Sequence, residues 1–274
     1  MGRLVAAVVV VVLLAGGATA AWRTLSEEVR TLLPDECVAE VGPLRATLTP
    51  EQAENAALIA AIAVRRGLPA RAVTIALATA LQESRLRNIR YGDRDSLGLF
   101  QQRPSQGWGT RRQIMDPVYA THRFYDGLER VEGYRDLRVT EAAQRVQRSA
   151  FPEAYGQHEP EARALASALS GASPHAFGCR VGEPSVGDPA TVRDEVTGVF
   201  ADLVARPVVT GSTLTVGVPG RRTGWALAHY LVAQADRLGV RRVEYAGRAW
   251  DGDTGWAPDD STLRRQVRVD VATV

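Results

Sequence analysis

Glu83 stands where a long apolar run ends. Ala72-Val73-Thr74-Ile75-Ala76-Leu77-Ala78-Thr79-Ala80-Leu81 carries no charge, and Gln82-Glu83-Ser84 follow at once. A carboxylate there is expensive to bury unless it is used. Partial burial disfavours the charged form and raises the pKa, as a proton donor to a glycosidic oxygen requires. If the run is helical, its carbonyl end pushes the same way. A solvated glutamate on the last helical turn is the ordinary alternative, and Glu83 alone does not choose between them. Asp93 and Asp95, ten and twelve residues further on, are the possible second carboxylate that most glycosidases use. They also suit turn formation after Tyr91-Gly92. Two cysteines and four scattered histidines show no metal-ligand spacing, so neither a metal nor a cofactor is expected.

The elements that must position Glu83 are largely helical. Thr49-Pro50-Glu51 has a capping hydroxyl, a proline at the first helical position and an early acid, which start a helix running to about Arg66 and stopping at Gly67. A second helix begins near Pro69. Apolar nearly all round, it should be buried and central, with Glu83 at its C-terminal end. From Arg87 to Thr110 there is no helical period, and Gly, Asp, Ser and Pro indicate loop or short strands. Further helices are expected from Asp116-Pro117 to about Arg130, from Thr140 to before Pro152, and over 159–169.

The order of motifs carries a resemblance. Glu83-Ser84, Asn88, Gly92-Asp93, Ser96-Leu97-Gly98-Leu99-Phe100-Gln101-Gln102 and then Ala154-Tyr155 together resemble the lysozyme-like lytic transglycosylases, the superfamily that includes goose-type lysozyme, over about residues 50–170. Gly156 follows Tyr155 where that family often has Asn. The resemblance implies that Glu83 is the general acid, that Ser84 orients it, and that Gln101 and Gln102 bond acetamido groups of the sugars. It also implies that Tyr155 lies close to the acid. Loop polarity is the plainer account of the glutamines, and a core aromatic that of Tyr155. Trp108 either stacks on a sugar face or anchors its loop. Members of this family manage with one glutamate because a hydroxyl of the substrate itself attacks and leaves an anhydro sugar. The implied activity is cleavage of peptidoglycan glycan strands. A catalytically silent wall-binding module and an envelope scaffold are the alternatives.

The whole chain reads as five stretches. Residues 1–22 are a signal peptide or membrane anchor and 23–48 a stalk. Residues 49–172 are a mainly α, lysozyme-like domain, 173–190 a Gly/Pro/Ser-rich linker, and 191–274 a small α+β domain. The last stretch predicts a helix near 191–204, a strand at 208–218, a helix at 223–238 and strands at 240–245 and 267–271. Gly224-Trp225-Ala226-Leu227-Ala228, Val243-Glu244-Tyr245, Trp250 and Val267-Arg268-Val269 weakly resemble a cell-wall peptidase-like domain. Its catalytic members bind zinc through histidines on the last strand, where this chain has Arg268, so the resemblance implies a domain without its metal.

Composition sets the compartment and the partners. Leu4 to Trp22 is a run of 19 residues without a charge, behind Arg3, and Ala18-x-Ala20 near its end is also how a cleavage site reads. Both readings place the remainder outside the cytoplasm, anchored by residues 4–22 or secreted after cleavage. No later segment is apolar and long enough to span, which excludes a polytopic transporter. Cys37 and Cys179 are an even pair in an oxidising place, 142 positions apart. Paired, they close a loop worth at most about 5 kcal/mol, and two free buried thiols are the alternative. A net charge of +2 gives no sign of a nucleic-acid binder. Between Arg85 and Arg112, however, seven arginines face two aspartates, a field suited to an anionic polymer such as peptidoglycan with its peptide carboxylates, or else a solvated face.

Overall fold

The apolar run before Glu83 forms the innermost helix of the protein. In a computed structural model, which describes residues 35–149, 152–182 and 185–273, this helix is Ala70–Ser84, and every residue from Ala72 to Leu81 is buried. Sealed on all sides, it gives Glu83 a fixed platform.

The chain enters through a hairpin, β1 (Glu36–Val41) and β2 (Leu44–Leu48), within the stretch expected to be a stalk. Alternate residues Cys37, Ala39, Ala46 and Leu48 are buried, so the hairpin covers the core. Helix α1 (Pro50–Arg65) begins with a capping box, in which Thr49 Oγ1 accepts from the Gln52 amide and Gln52 Oε1 accepts from the Thr49 amide. Helix α2 (Ala70–Ser84) follows, and Arg85 closes it in the left-handed region, φ 54°. After the loop come α3 (Arg111–Ile114) and α4 (Pro117–Glu129), the latter capped by Asp116 on the Val118 and Tyr119 amides. Helices α5 (Val139–Gln147) and α6 (Glu159–Leu169) complete the helical half, with α6 packed along α2.

Strand β3 (Phe177–Arg180) lies in the stretch expected to be a linker. It pairs antiparallel with β1, giving a sheet of order β2-β1-β3, and the register places Cys37 opposite Cys179. The two form a disulfide.

Beyond α7 (Pro189–Phe200) the second sheet has six antiparallel strands in the order β4-β5-β9-β6-β7-β8. The expected strand at 208–218 is instead a hairpin, β4 (Val208–Thr210) and β5 (Thr213–Gly217), turned at Gly211 with φ 59°. The helix expected at 223–238 is split into α8 (Arg221–Ala233) and α9 (Ala235–Leu238). Strands β6 (Val240–Tyr245), β7 (Arg248–Asp251), β8 (Gly255–Pro258) and β9 (Gln266–Val271) finish the sheet.

The fold is therefore mixed α+β, with helices and two antiparallel sheets. Its halves share one core, and Glu36–Val274 is a single compact unit. Helix α8 packs on α1 and α6, and polar bonds fasten it to both. His229 Nδ1 bonds Ala168 O at 2.8 Å, Gln234 donates to Glu54 O at 3.2 Å, and Arg222 to Ser170 O at 3.2 Å. Trp250 and Trp256 donate their indole N–H groups to Cys179 O and Phe177 O, tying β3 down. Among the described residues no helix is long and apolar enough to cross a membrane, and the segment 4–22 lies outside them.

Candidate functional site

Glu83 sits in the last turn of α2, half-buried, and Oε1 takes its hydrogen bonds. Tyr155 donates its hydroxyl to Oε1 at 2.7 Å and Gln147 its amide at 3.3 Å. Oε2 accepts nothing from the described residues. One oxygen is thus held by the protein, and the other makes no such bond. Burial pushes the Glu83 carboxyl above its usual pKa, against the opposing pull of the Tyr155 and Gln147 bonds and of the Arg103 charge. Tyr155 is itself buried, and its phenol is pushed up, by burial first and then by the Glu83 charge. It therefore stays a donor. These are the properties of a proton donor held in one orientation.

The Ser84 hydroxyl makes no hydrogen bond to the Glu83 carboxylate. Its hydroxyl lies near two carbonyls, Leu99 O at 2.7 Å and Ala80 O at 3.1 Å, and so fastens the loop to the end of α2. Gln147 repeats the fastening from α5, with its Nε2 on Phe100 O at 2.7 Å. The loop segment 97–102 is thereby clamped beside the acid. Backbone strain gathers here too: Arg85, Leu86, Arg94, Gln101 and Arg148 all have positive φ, five of the eight such non-glycine residues among those described. Such conformations cost of order 1–3 kcal/mol each and collect at functional sites.

The two glutamines of the loop have structural duties. Gln101 donates to Gly98 O at 3.2 Å and Tyr91 O at 3.3 Å, and accepts from Ser96. Gly92 packs so closely on this amide that a Cβ there would collide with it. Gln102 is only 1% exposed and donates to Ala120 O, while its Oε1 is buried without a partner among the described residues. The Leu97–Gln102 backbone pairing closes the loop beside it.

Asp93 and Asp95 belong to the loop as well. Asp93 pairs with Arg103 at 2.6 Å. Asp95 accepts from the Ser105 amide and hydroxyl at 2.8 and 3.0 Å, and the first of these bonds leads in holding its carboxyl below the usual range. Neither bonds Glu83, although Arg103, the partner of Asp93, also acts on the Glu83 carboxyl by its charge. Both side chains bond residues ten positions further along the loop.

A cleft of about 520 Å³ is lined by Gln147, which also bonds Glu83, although neither Glu83 nor Tyr155 lines it. Trp108 lines it, half-buried against the core, while its carbonyl accepts from Tyr119. Loop anchoring and an exposed cleft face are therefore both served by this one residue. Arg123, Arg130, Arg145 and Arg148 line the same cleft, with Asp126 its one acid.

Sequence reasoning missed Gln147, Arg103 and the arginines of α5. Gln147 lies 64 residues from Glu83 and carries no motif, so only the packing of α5 beside α2 brings it in. Among the described residues no group of three or more His, Cys, Asp or Glu stands together to hold a metal. Arg268 on β9 approaches Asp270, and His229 is fully buried. Neither a protein-family model nor a curated protein sequence matches the chain.

Proposed function

We propose that this chain cleaves peptidoglycan glycan strands outside the cytoplasmic membrane, as a lysozyme-like enzyme of lytic transglycosylase type with Glu83 as its general acid. The carrying observation is Glu83 itself, a half-buried carboxyl with raised pKa, fixed through Oε1 by Tyr155 and Gln147 while Oε2 accepts no bond from the described residues. Protonated Glu83 gives its proton to the leaving glycosidic oxygen as that bond breaks. A hydroxyl of the same substrate then attacks the anomeric carbon and returns its proton to Glu83, so no water is consumed. The engagement of Asp93 and Asp95 within their loop supports this route over one that needs a second carboxylate. The apolar segment 4–22 supports the location, as anchor or as cleaved leader.

The test is digestion of purified peptidoglycan by the full chain in mild detergent, with Glu83→Gln alongside and products read by mass spectrometry. Anhydro-muropeptides from the parent alone support the proposal. Reducing-end products would make it a hydrolase. If both proteins release nothing yet sediment with the wall, the chain is a binding module.

A further inference from the structure

The cleft that Gln147 shares with the Glu83 network is more cationic than a neutral sugar requires. Arg123 and Arg130 reach it from α4 and its end, Arg145 and Arg148 from the end of α5. Its one acid, Asp126, is already held by Arg66 at 2.9 Å and lies 3.7 Å from Arg123. Arg130, Arg145 and Arg148 are exposed and make no ion pair with any described residue. Arg148 also occupies a left-handed helix terminus, φ 53°, a position that glycine fills without strain. With Arg130 and Arg145 it lines a cleft that Trp108 also lines, and only Arg145 feels a nearby carboxylate, Glu141 one turn back on its own helix.

We infer that this cleft binds the stem peptide of the strand being cut, its arginines taking the peptide carboxylates and Trp108 packing on the aliphatic part. The inference rests on reading Glu83 as the acid of a glycan-strand site. Guanidinium groups pair with carboxylates through two parallel bonds. Groups arriving from two helix ends match a ligand with carboxylates at separate points, whereas a single phosphate ester would occupy one of them. Peptide-bearing strands are therefore preferred to bare glycan.

Binding is measured with the full chain carrying Glu83→Gln, so that no ligand is consumed. The probes are a soluble glycan tetrasaccharide with its stem peptides, the same glycan stripped of peptide, and the peptide form with its carboxylates amidated. The peptide form should bind about ten-fold or more tightly than the stripped form, the scale of one charge-assisted bond. Amidation should remove that preference, and so should Arg145→Gln with Arg148→Gln. Equal affinity for the peptide and stripped forms overturns the assignment, as does a preference that survives amidation. A phosphorylated glycan binding more tightly than the peptide form also overturns it. Because the amidated ligand is tested on a chain with every arginine intact, a misfolded double variant cannot hide the answer. Peptide-dependent binding without any digestion by the parent would remove Glu83 as the acid and leave the cleft as a stem-peptide site on an uncut strand.

Discussion

Tyr155 places its hydroxyl 2.7 Å from Glu83 Oε1 across 72 residues of chain. The bond joins the end of a buried helix to a short 3-10 segment (Pro152–His158) ahead of α6. It favours the ionised carboxylate, whereas burial favours the protonated one, and burial is the larger effect. The carboxyl therefore keeps its proton to a higher pH than an exposed glutamate and loses it in place.

Glu83→Gln should lower activity by about 10²–10⁴-fold, the range for a general acid. Because the acid must be protonated, parent activity falls as pH rises through the raised Glu83 pKa. A pH profile of muropeptide release with no falling alkaline limb would exclude Glu83 as the acid.

Tyr155→Phe removes a bond that lowers the Glu83 pKa, so the fall in activity should move to higher pH. A purely structural tyrosine would lower activity and leave that limb in place. The measurement is kcat across pH for parent and variant.

Ser84→Ala leaves the Leu99 carbonyl without its side-chain donor and frees the loop from the end of α2. The expected cost is about 1–2 kcal/mol in urea unfolding. Turnover should fall more than affinity, since the loop flanks the acid rather than supplying it.

The Cys37–Cys179 disulfide closes a loop of 142 residues. Replacing both cysteines by serine should cost about 2–5 kcal/mol, which at roughly 2–4 °C per kcal/mol is a marked fall in Tm. An unchanged melting temperature would mean that the β1–β3 pairing holds without the bond.

His229 is fully buried with its pKa lowered to about 4, through burial first, despite the opposing bond to Ala168 O. The unfolded chain takes up this proton near pH 6.5 and the folded chain resists until about pH 4. Stability carried by the neutral ring is thus present above pH 6.5 and is lost as pH falls toward 4, by roughly 3 kcal/mol. Half-buried Glu54 and Glu83 titrate in the opposite sense, so the readout is the difference between parent and His229→Phe in urea midpoints at pH 7 and pH 4.

Local signals were enough for the helices around the acid. Thr49-Pro50 and Asp116-Pro117 carry their own caps, and the run 72–81 announces burial by composition alone, which put Glu83 at a helix end. Interactions within a few residues decide such features. The strands are different. The hairpin at 36–48 and β3 each present few residues and depend on partners far along the chain, with Cys37 facing Cys179 and the Trp250 and Trp256 indoles bonded to β3. No short window contains that information.

The same division holds at the site. The sequence by itself determined a lone acid at the end of an apolar helix, the loop beside it and the tyrosine expected to approach it. Only the tertiary structure decided which neighbours act: Gln147 enters on α5, Gln102 turns inward, and Asp93 and Asp95 bind their own loop. The reason is that residue type fixes what a group can do, while its protonation and its partners are set by burial and approach distance, which arise only when separate elements pack.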